Sequence, residues 1–222
     1  MSENLILMNA NPVVRALKKM PSEFTKEDII NYIDENGIQM VNFMYPGGDG
    51  RLKTLSFTIN SKEYLDTVLT CGERVDGSSL FSFIQAGSSD LYVLPRFSTA
   101  FRDPFAEIPT LCLLCSFFDK DGEPLASSPE HTLVKATRAF QEVTGMEFHA
   151  MGELEYYVVS VAEEKFPAVD QRGYHESAPF FKTGDFRQRC MHAVAQCGGQ
   201  IKYGHSEVGN FTMEGLCYEQ NE

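Results

Sequence analysis

The stretch Gly152-Glu153-Leu154-Glu155-Tyr156-Tyr157 lies inside a longer alternation in which Phe148, Ala150, Leu154, Tyr156 and Val158 interleave with Glu147, His149, Glu153, Glu155 and Tyr157. A period of two predicts a sheet strand with one polar face over 147–161. On such a strand residues i and i+2 share a face roughly 6.5–7 Å apart, so Glu153 and Glu155 aim at one spot. His205-Ser206-Glu207 repeats that spacing within a second strand expected over 200–208, and the sequence stops on Gln220-Asn221-Glu222. Carboxylates converging on a half-buried face repel one another and lose hydration unless a divalent cation or protonation neutralises them. The pattern has two readings. One is a metal-dependent site of hard oxygen donors, suited to magnesium or manganese more than zinc. The other is the solvated face of an antiparallel sheet.

Working outward, a turn-rich loop through Pro167, Gly173 and Pro179 precedes a helix expected over 185–197, which Gly198-Gly199 ends. Upstream, Ser128-Pro129-Glu130 starts a helix whose apolar face is Leu133, Val134, Ala136, Phe140 and Val143, and Gly145 closes it. Residues 110–118 read as a buried strand. Before them, Asn11-Pro12 caps a short helix, and Thr25-Lys26-Glu27-Asp28 is a capping-box variant opening a helix over 26–36. Residues 39–45 and 51–59 read as strands joined through Gly47-Gly48-Asp49-Gly50. A helix follows at 61–69 and a strand at 90–94. The fold class is α+β, with a small N-terminal domain at 1–105 and a second domain at 106–222, linked through 97–109.

Composition narrows the function. The chain has 222 residues, 43% of them hydrophobic and 23% charged, as in an ordinary globular protein. A net charge of -12 argues against nucleic acid or an anionic membrane surface as partner and favours cations and small molecules. The start has no basic n-region with a sustained apolar core, and no stretch reaches the ~20 apolar residues that span a bilayer. The six cysteines are scattered, so reduced thiols in a cytoplasmic protein are expected. Cys112-Leu113-Leu114-Cys115 reads as two buried small residues on a strand, because i and i+3 point to opposite faces and no partner motif follows. Asp76-Gly77-Ser78-Ser79, taken alone, reads as a turn or helix cap. No P-loop or GxGxxG is present.

Taken together, the ordered series Asp76-Gly77-Ser78-Ser79, Ser89-Asp90-Leu91 with Pro95, Asp103-Pro104-Phe105, Gly152 through Tyr157, His205-Ser206-Glu207-Val208 and Gln220-Asn221-Glu222 resembles the glutamine synthetase family. The resemblance covers roughly residues 40–222. It implies an N-terminal β-grasp domain followed by the first part of a catalytic domain built on a curved antiparallel sheet, with sites between adjacent subunits of a homo-oligomeric ring. It implies ATP-dependent ligation of ammonia to glutamate through γ-glutamyl phosphate, with ATP as co-substrate and two divalent cations, Mg2+ or Mn2+.

By the same resemblance, Glu155, Glu207 and Glu222 would hold the metal nearer the glutamate and ammonium pocket, and Glu153 would help hold the metal nearer the ATP phosphates. Asp76 and Ser79 would lie on a loop lent to a neighbour's site, with Asp76 binding and deprotonating ammonium. Tyr174 is matched to the ammonium-site tyrosine, and His205 to a substrate-binding position. Ser206 departs from the family's frequent His-His-Glu, and residues 209–219 read as an inserted loop. Family members continue past this point with further metal and arginine ligands, so the chain reads as the N-terminal part of a divergent member, expected to lack ligase activity by itself. A γ-glutamyl-amine ligase of the same fold and a non-catalytic metal-binding or assembly protein are the alternatives.

Overall fold

The capping signals in the first 145 residues set helix boundaries that the computed structural model reproduces closely. It describes residues 3–161, 165–167, 169, 171–213 and 216–221. The first helix, α1, is Glu3–Leu7, and α2 is Pro12–Leu17, whose N-cap Asn11 accepts a hydrogen bond from the Val13 amide. Helix α3, Lys26–Glu35, begins with the expected capping box: the Thr25 side chain accepts from the Asp28 amide, and Asp28 accepts from the Thr25 amide. Its Ile29, Ile30, Tyr32 and Ile33 are buried, the apolar stripe that a 3.6-residue period requires.

Strands β1 (Met40–Pro46) and β2 (Leu52–Thr58) form the expected hairpin, with Met40 opposite Thr58. Helix α4 (Lys62–Cys71) is capped by Ser61. Strand β3 (Glu73–Asp76), helix α5 (Gly77–Leu80), β4 (Asp90–Pro95), β5 (Phe101–Arg102) and β6 (Thr110–Phe118) follow. The sheet order is β2-β1-β6-β4-β3, with β5 also on β6. Strand β6 runs parallel to β1 and antiparallel to β4 and β5.

A boundary at 105 would separate β5 from β6, and β6 from β1. The structure instead keeps β6 at the centre of the N-terminal sheet. The cause is visible in the strand: Thr110, Leu111, Cys112 and Leu113 are all buried, which needs cover on both faces, and a central strand supplies that. Cys112 and Cys115 are both buried, and burial pushes each thiol up to about 12, so they behave as the small apolar residues the spacing predicts. Around β6 the core gathers Val41, Phe43, Tyr45, Phe81, Val93 and Phe117. Phe43 meets Phe57 edge to face at 4.9 Å, and Phe117 meets Phe81 at 5.1 Å. At Gly72, φ is +67° and an added Cβ would lie 2.3 Å from the Val93 carbonyl oxygen, so only glycine lets α4 turn back beside β4.

Helix α6 (Pro129–Thr144) starts from the Ser128 cap and ends at Gly145 in the left-handed region, as expected. Its apolar face differs from expectation. None of its residues is buried: Leu133 is 66% exposed and Val143 85%.

The chain divides into two compact units, Met1–Phe148 with Gln196–Gly198, and His149–Ala195 with Gly199–Glu222. The second unit holds β7 (Tyr156–Val161), α7 (Gly184–Gln196, into the first unit's last segment), β8 (Ser206–Met213) and β9 (Leu216–Asn221). Its sheet is antiparallel, in the order β7-β9-β8. Three expectations are corrected here. Residues 147–155 are not strand, because the described ladder from β9 begins only at Tyr156, opposite Asn221. Residues 200–205 are likewise irregular, and strand begins at Ser206. The supposed inserted loop at 209–219 is instead largely the β8–β9 hairpin, with 214 and 215 outside the described residues. In each case alternation of side chains is insufficient: a strand needs a partner to take its amides and carbonyls.

The fully buried Phe43, packed at the crossing of β1, β2 and β6, supplies the test of this core. Phe43→Ala should lower unfolding stability by about 3–5 kcal/mol in urea denaturation, and a loss below about 1 kcal/mol would contradict the packing described.

Candidate active site

Two groups of expected site residues fall in different units and are described separately. In the first unit, Asp76 ends β3 and caps α5. Its Oδ1 accepts from the Ser78 amide at 3.0 Å and the Ser78 hydroxyl at 2.7 Å, and its Oδ2 accepts from the Ser79 hydroxyl at 2.7 Å. Gly77 allows this tight turn: its amide donates to the Ser89 carbonyl at 2.7 Å, and an added Cβ would meet Leu91 at 2.8 Å. Hydrogen bonds from the Ser79, Ser78 and Ser89 hydroxyls favour the anion and hold the Asp76 carboxyl well below the usual carboxylate range. The turn reading of Asp76-Gly77-Ser78-Ser79 holds, and the turn leaves an exposed anion fixed by serines.

In the second unit the strand register arranges the carboxylates. Tyr156 of β7 and Ser206 of β8 both pair with Asn221 of β9, so the two motifs meet the same end of one three-stranded sheet from either side of the middle strand. With neighbouring strands about 4.8 Å apart, the backbones at 156 and 206 lie roughly 10 Å from each other. Glu155 immediately precedes Tyr156 and Glu207 immediately follows Ser206. Glu222 lies outside the described residues.

The local detail differs between the motifs. Glu153 and Glu155 are exposed, and neither makes a hydrogen bond or ion pair with a described residue. Glu207 sits where the β8–β9 register shifts between Ser206 and Asn210, an irregularity of the kind that re-aims side chains. Its Oε2 accepts from the Val208 amide at 2.9 Å, and its Oε1 lies 3.6 Å from His205 Nδ1. His205 Nδ1 is 3.0 Å from the Ser206 carbonyl oxygen, so the tautomer protonated at Nδ1 donates there and leaves Nε2 as an acceptor. Beside Glu153 a cavity of about 180 Å3 opens, lined by Met151, Leu154, Tyr156, Arg187, Val194 and Ile201 among others. The Tyr156 hydroxyl is buried there without a partner among the described residues.

The Tyr174 and His205 rings meet edge to face, with centroids 5.2 Å apart. Sequence reasoning missed His175, whose ring lies 4.2 Å from that of Tyr174 and 4.3 Å from that of His205. It also missed the contact that brings this turn in: the buried Ser206 hydroxyl donates to the Gly173 carbonyl at 2.7 Å across 33 positions of chain. No local pattern signals a bond of that separation. Among the described residues no cluster of three His, Cys, Asp or Glu side chains is poised around a single point. Oxygen donors of this kind at one sheet end are nevertheless of the type that suits a hard divalent cation.

Residues 37–120 match the model of the family described as "Glutamine synthetase, beta-Grasp domain". The glutamine synthetases of Methanococcus voltae and Clostridium saccharobutylicum are 26% and 27% identical over 189 and 192 residues, 82% and 84% of this chain but 42% of each relative. Among solved structures, the Plasmodium falciparum glutamine synthetase has a TM-score of 0.66 at 13% identity, covering 90% of this chain and 44% of that one. The ADP complex of GmaS has a TM-score of 0.62 at 9% identity, covering 87% of this chain and 43% of that one. The fold is that of the glutamine synthetase-type ligases, with a β-grasp domain at its N-terminal end. Over more than four-fifths of its length the chain is similar to glutamine synthetases, and it spans about two-fifths of the length of the curated relatives it matches.

The serine cage predicts how Asp76 titrates. By carboxyl-carbon NMR its midpoint should lie below the ~3.9 of a free aspartate, and Ser78→Ala with Ser79→Ala should raise it. Because the folded value is the lower one, the caged anion stabilises the fold fully above about pH 4 and loses that contribution as pH falls through the folded midpoint. An unshifted midpoint in the unmodified protein would refute the cage.

Proposed function

We propose that the protein joins ammonia to the side-chain carboxyl of L-glutamate, using ATP and passing through γ-glutamyl phosphate. This chain would supply the β-grasp domain and the first carboxylate-bearing strands of the catalytic sheet. The observation that carries the reading is the pairing of Tyr156 and Ser206 with the same residue of β9, which sets Glu155 and Glu207 at one sheet end.

A carboxylate is a poor electrophile, so phosphorylation must come first to create a leaving group that an amine can displace. Glu155, Glu207 and Glu222 would hold one Mg2+ or Mn2+, and Glu153 would help hold another. Bound there, such cations screen the ATP phosphates and polarise the phosphoryl group in transfer. Within the chain, Asp76 presents a fixed anion. A carboxyl held so far towards its ionised form attracts ammonium strongly and is a weak proton acceptor, so capture is its main role and Ser79 keeps it oriented. Tyr174 and His205 would wall the amine pocket beside Glu207. An Asp76 loop lent to a neighbouring copy implies a homo-oligomeric ring in the whole protein, working in the cytoplasm. No helix among the described residues is long and apolar enough to cross a membrane.

The test is glutamine formation by the protein in its full natural length, supplied with glutamate, ammonium, ATP and Mg2+ or Mn2+. ADP and glutamine should appear in equal amounts, and Glu155→Gln or Glu207→Gln should cut kcat/KM on the order of 100-fold or more with the fold intact. Turnover of a primary alkylamine in preference to ammonium would replace this reading with a γ-glutamyl-amine ligase. A folded protein that makes neither product would overturn both.

A further inference from the structure

Ser206 stands where the family's motif often carries a second histidine, and the structure gives it different work. Its side chain is buried, with the residue only 1% exposed. The hydroxyl donates to the Gly173 carbonyl oxygen at 2.7 Å, with the Glu176 carbonyl oxygen at 3.3 Å as a weaker second acceptor. The Ser206 carbonyl in turn accepts from the His175 amide at 3.0 Å. The turn is closed on itself as well, since the Glu176 amide donates to the Gly173 carbonyl at 3.0 Å. One serine thus ties both ends of a four-residue turn to the first residue of β8.

The turn needs that tie. His175 has φ of +56°, in the left-handed region that residues with a Cβ avoid, and it is exposed to solvent. A free surface loop would relax out of that conformation, whereas a loop bonded at residues 173, 175 and 176 keeps it. In the latched conformation the rings of Tyr174, His175 and His205 pack on one another, and Glu207 Oε1 lies 3.6 Å from His205 Nδ1.

We infer that Ser206 is a positioning residue that latches the 173–176 turn to strand β8, and that the latch makes His175, together with Tyr174, one wall of the amine pocket proposed beside His205 and Glu207. The structural half of this inference stands on the bonds alone. The functional half rests on the proposed amine pocket, for which the latch acts as a determinant of amine binding. An imidazole at position 175 then borders the entering amine, as a group able to accept a hydrogen bond from it.

The test uses the 222-residue chain first. Ser206→Ala should speed amide exchange at His175 and Glu176 about tenfold, the scale of one lost buried hydrogen bond, and should move the ring signals of His205. Ser206→Thr, which keeps the hydroxyl, should restore slow exchange. His175→Ala leaves the latch in place and should shift the His205 ring signals while the rest of the spectrum holds, so the inference remains testable if Ser206→Ala does not fold. Unchanged exchange in folded Ser206→Ala, or unchanged His205 signals in His175→Ala, would overturn it. In the full-length enzyme Ser206→Ala should raise KM for ammonium several-fold while KM for ATP holds, and an equal rise in both would refute the role in amine binding. A wild-type protein that does not use ammonia refutes the proposed function instead, and the exchange result decides the latch independently.

Discussion

Strand β9 is bonded along both edges, and the candidate site depends on where that double pairing ends. Asn221 lies opposite Tyr156 on one side and Ser206 on the other. From that register it follows that two acidic motifs separated by some fifty positions of chain arrive at a single sheet end. A cation held between carboxylates at such an end would be of the hard, magnesium type that their oxygens prefer. Slipping β8 by one residue would send Glu207 to the opposite face, and slipping β7 would carry Glu155 out of level with it.

The other unit obeys a different constraint. Strand β6 is covered on both faces over its first half, and β1, β4 and β5 all pair with it, so the β-grasp sheet closes around one apolar strand. At the sheet's far edge, β3 hands the chain directly to the serine-caged Asp76. The loop is rigid for local reasons, since its bonds run between residues two and three apart and Gly77 is pressed against Leu91. A charged group fixed by its own turn is ready to bind without first being ordered.

Much of this was legible in the chain because helix ends carry local chemistry. Asn11-Pro12, Thr25 with Asp28, Ser61, and Ser128-Pro129 with Gly145 each marked a boundary within a residue or two, since caps satisfy backbone groups with neighbours in sequence. Strand 110–118 was equally plain from its mostly apolar run, Leu111 through Cys115 above all. What escaped was decided by partners far away. The alternation through 147–155 looked like strand yet found no described ladder partner there, and what brings the two acidic motifs to one sheet end is the register of β9 instead of i, i+2 spacing. Strand β3 was too short to signal itself, and residues 209–219 passed for a loop because glycine and asparagine interrupt a hairpin. The family motifs pointed to Tyr174 and His205, whereas His175 came into view only through a bond from Ser206 to Gly173.

The central claim is that Glu155 and Glu207 share one cation site across β9, and paramagnetic broadening by Mn2+ tests it most directly. In the isotope-labelled chain, substoichiometric Mn2+ should broaden the amide signals of residues 153–155 and 205–207 together, and Glu207→Gln should abolish the effect at both segments. Broadening confined to one segment, or persisting at 153–155 after Glu207→Gln, would contradict the account.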